Sequence, residues 1–154
     1  MATYLSAELS GVNATANQTS AATGYKPRAT VYGARVKRLR ATFTLGSTAV
    51  TTSDVLQVGN LPAGATFAFG IITASATMGA SATLAIGTSG STGKYRAAAT
   101  FTSADTPTLF GLTSAIGAAD PALSAEETVI VTIGSASLPT SGTLVIDLYY
   151  SMPN

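Results

Sequence analysis

The stretch from Asp54 to Thr88, DVLQVGNLPAGATFAFGIITASATMGASATLAIGT, limits the possible folds more than any other. It reads as β-strands punctuated by turns. Val55 to Val58 is a short apolar run. Asn60-Leu61-Pro62-Ala63-Gly64 is a turn, with Pro62 fixing φ at its second position and Gly64 free to take a positive φ. Ala65 to Ala74 is a longer strand, with Phe67, Phe69 and Ile71 on one face and Ala68, Gly70 and Ile72 on the other. Both faces are apolar or small, which predicts a central strand covered on both sides. Met78-Gly79-Ala80 turns the chain again, and Ala82, Leu84 and Ile86 alternate with Thr83 and Ala85.

The flanks follow the same period of two. Leu39, Ala41, Phe43 and Leu45 share one face, with Arg38, Arg40, Thr42 and Thr44 opposite. Near the end, Thr128 to Ile133 carries Val129, Val131 and Ile133 on one face. Ser137 to Gly142 is a turn. Thr143 to Met152 carries Leu144, Ile146, Leu148 and Tyr150 on one face, and Val145, Asp147 and Tyr149 on the other. Lys94 to Phe101 is weakly patterned and fits a strand or a helical turn. Ser103 to Pro121 reads as a long loop with room for one short strand. No convincing amphipathic helix is present. Six to eight short strands with frequent turns predict an all-β fold. The expected form is an antiparallel β-sandwich of jelly-roll or related Greek-key type. The turns Leu61–Gly64 and Leu138–Gly142 resemble each other, but their flanks do not match at a fixed period, so a shared turn type is expected rather than a repeat. Met1 to Thr23 is rich in small polar residues and has few large apolar ones. We expect an extended N-terminal arm over residues 1–33 and a single β-sandwich domain over 34–154.

Chemistry is sparse. The chain has neither cysteine nor histidine, which removes disulfides, thiolate and imidazole metal ligands, and any triad with a histidine base. The start, MATYLSAE, lacks the basic and apolar regions of a secretory signal. The two glycosylation sequons at Asn13 and Asn17 are therefore read as chance matches. The most apolar window, Val55 to Ile72, contains Gln57, Asn60, Pro62 and three glycines, which argues against a membrane span. Gly87-Thr88-Ser89-Gly90-Ser91-Thr92-Gly93-Lys94 imitates a phosphate loop. Its spacing fails, Tyr95 stands where a magnesium-binding hydroxyl belongs, and no helix follows. The acids Glu8, Asp54, Asp105, Asp120, Glu126, Glu127 and Asp147 form no calcium-loop spacing. Glu126-Glu127 is expected on a solvated turn. Asp147 is expected to face solvent, a basic partner or a subunit contact. No cofactor is expected.

Only 10% of residues are charged, against roughly 25% in a typical soluble domain. Such a surface is poorly protected against association. It fits either a surface covered in a larger assembly or an ordinary domain solvated by hydroxyls. The positive charge is concentrated: Lys26, Arg28, Arg35, Lys37, Arg38 and Arg40 are six of the eight basic residues, with no acid among them. This block reads first as a solvated strand whose charge blocks edge pairing. Docking on an acidic protein surface comes second. Nucleic acid comes last, because six cations beside a slightly acidic remainder make a weak phosphate footprint.

The run LPAGATFAFGIITASATMGASATLAIGTSG, then KYRAAATF, then VIVTIGSASLPTSGTLVIDLYYSMPN resembles small structural proteins of tailed bacteriophages. The likeness lies in an LPxGA turn leading into a strand, a Gly-Ser-Ala-Thr-Leu-type strand ending in Ile-Gly, and a terminal Gly-Thr-Leu strand ending in aromatics. It covers Asp54 to Tyr150. This family includes auxiliary or decoration proteins that bind the outside of the phage head. The resemblance implies a non-enzymatic virion structural protein, assembled in the host cytoplasm, that binds the outer capsid surface and decorates or stabilises it. Its partner would be the major capsid protein. A homo-oligomer, with a trimer favoured, would dock through the arm and through Lys26, Arg28, Arg35, Lys37, Arg38 and Arg40. The alternative is a head or tail fibre domain of adhesin type that recognises a host surface glycan or receptor.

Overall fold

The computed structural model describes residues 35–52, 54–111 and 122–152. The expected arm, with Lys26 and Arg28, lies outside the described residues. Among those described, all regular structure is β-strand. The strands are β1 (Arg35–Thr44), β2 (Val55–Leu61), β3 (Thr66–Ala74), β4 (Thr83–Thr88), β5 (Ser91–Thr100), β6 (Thr108–Phe110), β7 (Glu127–Gly134) and β8 (Thr143–Met152). They form two four-stranded antiparallel sheets, ordered β1-β8-β3-β6 and β2-β7-β4-β5.

This order is a jelly roll. β1 pairs with β8, β2 with β7, β3 with β6 and β4 with β5. The chain is thus one long hairpin, with its tip between β4 and β5, rolled until β3 meets β8 and β4 meets β7. Adding four to each strand number, and counting on from eight back to one, converts one sheet order into the other. The sequence echoes this pseudo-symmetry at two of the crossovers between sheets, β3 to β4 and β7 to β8. Ser75-Ala76-Thr77-Met78 and Ser81-Ala82-Thr83-Leu84 recur sixty residues on as Ser135-Ala136-Ser137-Leu138 and Ser141-Gly142-Thr143-Leu144. Met78 and Leu138 are both buried. The Met78 amide donates to the Phe101 carbonyl at 2.9 Å, and the Leu138 amide to that of Val50 at 2.8 Å. Comparing turns alone misses this repeat, because the matching segments are β3–β4 and β7–β8.

The core fills the space between the sheets with the alternating sets expected on β1, β7 and β8. Ile72, Leu84, Ile86, Val129, Val131, Leu144, Ile146 and Leu148 have no exposed surface. Each contributes about 1.5–3 kcal/mol by leaving water. The β5 ambiguity resolves to a strand, and the described part of the segment that starts at Ser103 contains the three-residue β6; the rest of it, 112–121, lies outside the described residues. Phe110 anchors β6 by laying its ring on Gly70, where a Cβ would come within 2.2 Å of the ring. Gly64 has φ +80°, and the Ala65 amide closes its turn onto the Pro62 carbonyl at 3.1 Å. Pro62 is therefore the first position of that turn, not the second.

One expectation about faces needs correction. The β3–β8 register shifts between Phe67 and Phe69, leaving Ala68 as an extra residue. The bulge puts Phe67 inward with Gly70 and Ile72, and Phe69 outward with Ile71. β3 is central within its sheet, but its outer face is not fully covered, and Phe69 is 37% exposed.

Candidate interaction surface

Directly opposed residues in antiparallel strands share a face. On the outer side of the β1-β8-β3-β6 sheet, one row runs Arg40, Asp147, Ile71, Leu109. The next runs Arg38, Tyr149, Phe69, and a third runs Thr42, Val145, Thr73. The face therefore changes from cationic at β1 to apolar at β6. In most sandwiches the outward residues are polar. Here Val36, Phe69 and Leu109 lie outward, and they are three of the four large exposed apolar residues among those described. The Phe69 and Tyr149 rings stack with centroids 4.6 Å apart. Stacking fixes both rings in place and so presents a rigid aromatic surface.

Asp147 holds the cationic half together. It is buried, and its carboxylate accepts hydrogen bonds from Arg40 Nε at 2.8 Å and Nη2 at 2.7 Å. Arg38 Nε stands 3.8 Å away. Hydrogen bonding from Arg40 holds the Asp147 carboxyl below the usual carboxylate range, against the opposing effect of burial; the charges of Arg40 and Arg38 add to it. The same pairing raises the Arg40 guanidinium. Asp147 thus faces arginines of its own chain, one of the arrangements open from sequence. Arg35 and Lys37 are exposed at the start of β1, and the side chain of Arg38 remains half exposed. Sequence reasoning finds the arginines but misses the aromatic half. Leu109 sits in an irregular segment, and the bulge at Ala68 hides which face Phe69 takes.

A second polar cluster links β5 to β7 within the other sheet. Glu127 is not on a solvated turn. It opens β7, partly buried, and accepts the Tyr95 hydroxyl at 2.6 Å and the Lys94 ammonium. Glu126 is exposed and takes the Asn60 side-chain amide at 2.8 Å. The Tyr95 ring is buried against Phe67 with centroids 4.4 Å apart. Burial, then the bond to Glu127, push the Tyr95 phenol well above its ordinary range, so it remains a hydrogen-bond donor. Burial pushes Glu127 up, but the bonds from Lys94 and Tyr95 outweigh it and hold the group low. An ionised acceptor with two fixed donors is a structural lock between β5 and β7. Tyr95→Phe is expected to cost about 1 kcal/mol in urea unfolding with an unchanged m-value, the usual loss for one hydrogen bond.

The segment that imitates a phosphate loop is a hairpin. Thr88 pairs with Ser91 around Ser89-Gly90, and the next element is β5. Further along β5, Arg96 donates to the carbonyls of Leu84, Ala99 and Thr100, where the register slips. Among the described residues, no helix is long and apolar enough to cross a membrane, and no group of three acids is placed to hold a metal ion.

No protein-family model matches the chain, and no curated protein does. Solved structures do. A chain in the cyanophage Pam1 capsid asymmetric unit superposes with a TM-score of 0.62 at 21% identity, over 79% of this chain and 88% of that one. A chain in the capsid of Ralstonia phage GP4 gives a TM-score of 0.58 at 21% identity, over 78% and 86%. A third, in the acidic stable capsid of Helicobacter pylori bacteriophage KHP30, gives 0.56 at 12% identity, over 77% and 89%. These likenesses establish a shared fold between chains of comparable length.

Proposed function

We propose that this chain is a non-enzymatic virion structural protein that binds the outer surface of a phage capsid and decorates or stabilises it. The observation that carries this reading is the fold itself. The jelly roll, matched over 77% to 79% of this chain, occurs in chains of three phage capsid structures. The surface supports it. One sheet face joins an open cationic edge to a rigid apolar patch, and sparse charge elsewhere leaves little to oppose close packing. In our reading the basic strand, with the residues that precede it, docks on an acidic region of the major capsid protein. Phe69, Tyr149 and Leu109 form the contact between copies in a homo-oligomer, for which we favour a trimer.

The test is to mix the purified protein with undecorated capsids and image the lattice. Ordered density on the outer surface is expected. Arg35→Glu, Lys37→Glu and Arg38→Glu combined should weaken binding at least tenfold at low salt, the loss of one well-placed charge pair or more. Arg40 is left in place, because its charge is matched by Asp147 and its removal would disturb the sheet. Full occupancy by this variant would sink the docking model. Recognition of a glycan, with no capsid binding, would transfer the assignment to a fibre-type domain.

A further inference from the structure

The two sheets have four edge strands, and three of them are blunted. β6 is only three residues long. β2 breaks register between Gln57 and Gly59. β5 breaks register against β4 twice, and Arg96 occupies carbonyls beside the break. Bulges and very short strands are the usual protection against unwanted pairing. β1 has neither device. It runs ten residues in unbroken register against β8, from Arg35 opposite Met152 to Thr44 opposite Thr143. Among the described residues, no strand pairs with its other edge. At about 3.3 Å per residue, that edge offers roughly 33 Å of backbone donors and acceptors.

Charge selects what can use it. Arg35, Lys37, Arg38 and Arg40 crowd into the first six residues, and Asp147 offsets only one of them. A second copy of β1 would set cations against cations in any antiparallel register that overlaps these six, and like charges directly opposite repel. A strand with carboxylates at alternate positions would meet two of them at once, Arg35 and Lys37 on one face or Arg38 and Arg40 on the other. We propose that the free edge of β1 accepts an extended acidic segment of another protein as a fifth strand of the β1-β8-β3-β6 sheet. Backbone pairing gives affinity, and the arginines set register and exclude self-pairing. This deepens the docking role proposed above by naming how the basic strand engages its partner.

The test uses the full chain and a labelled ten-residue peptide that alternates glutamate with valine and threonine, titrated by fluorescence anisotropy at low salt. A second peptide of equal charge carries two internal prolines, which remove backbone donors and cannot continue a strand. The alternating peptide should bind at least tenfold more tightly than the proline peptide. Its binding should slow amide exchange specifically in β1. Lys37→Thr with Arg38→Thr should weaken it at least tenfold. Equal binding of both peptides would reduce the interaction to simple charge attraction and overturn the proposal. So would binding that leaves β1 exchange unchanged, or no binding at all. Capsid binding is measured separately. Capsids that bind while peptides fail remove only the strand-addition inference, and peptides that bind while capsids fail remove only the capsid assignment.

Discussion

Gly87→Ala is expected to cost about 3 kcal/mol of folding stability, at the upper end of what overpacking a well-filled site costs. A Cβ at Gly87 would lie 2.1 Å from the Ser91 carbonyl oxygen and 2.6 Å from that of Thr92. Both are backbone atoms, so no side-chain rotation relieves the contact. The crowding follows from the hairpin register. Ile86 faces Arg96 and Thr88 faces Ser91, so four residues of β5, Thr92 to Tyr95, are accommodated beside Gly87 alone. The φ of Gly87 is not positive, so the cost is one of contact and not of conformation. Gly90, three residues on, supplies the control: it has open space where a Cβ would go. Gly90→Ala should change stability by less than about 0.5 kcal/mol. Urea unfolding of the two variants decides the matter. Equal stabilities would mean that the close approach of β5 to Gly87 is wrong, and with it the hairpin reading of the segment that imitates a phosphate loop.

What the sequence reveals here depends on whether a strand keeps strict alternation. β1, β7 and β8 do over the residues that pack on the core, Leu39 to Phe43, Val129 to Ile133 and Leu144 to Leu148, and their inward residues are those expected. β5 does not. Its two register slips and the charged pair Lys94 and Arg96 break the pattern, so STGKYRAAAT looks ambiguous until the chain is folded. The three residues of β6 are too few to show any period. Phe67 and Phe69 were the natural candidates for a shared face, and one extra residue at Ala68 separates them. No local signal marks that bulge, because it is fixed by pairing with Tyr149 and Tyr150 on a strand far away in the chain.

The same logic applies to the interaction surface. The arginines of β1 are conspicuous, but their meaning depends on a carboxylate 107 residues away. Without Asp147 the outer face of the strand would carry Arg38 and Arg40 as two uncompensated cations. With it, Arg40 is bonded to the neighbouring strand β8 and Arg38 is held near it. A face that holds its charges still while presenting stacked rings beside them suits a fixed lattice contact better than a transient one, since less side-chain freedom remains to be lost on binding.

Asp147→Ala is therefore the most informative change to that face, with an expected loss of about 2 kcal/mol at neutral pH from the two charge-assisted hydrogen bonds. The cost stays moderate because Arg40 can turn toward water; its side chain is already 51% exposed. Arg40→Met should be worse for the fold, because it strands a buried carboxylate with only the more distant Arg38 for company. The pH dependence separates charge from packing. The folded Asp147 carboxyl titrates below its ordinary value, so its contribution is complete above about pH 4. It is lost as pH falls through the lower folded value. The stability gap between the natural protein and Asp147→Ala should thus be constant from about pH 5 to 7 and close toward pH 2. Glu127 is also held low and will give both proteins a residual acid slope, which cancels in the difference. Thermal unfolding of the pair across that range measures the gap directly. A gap that persists unchanged at pH 2 would mean that Asp147 acts as a packed side chain, and that the arginines of β1 are not anchored by its charge.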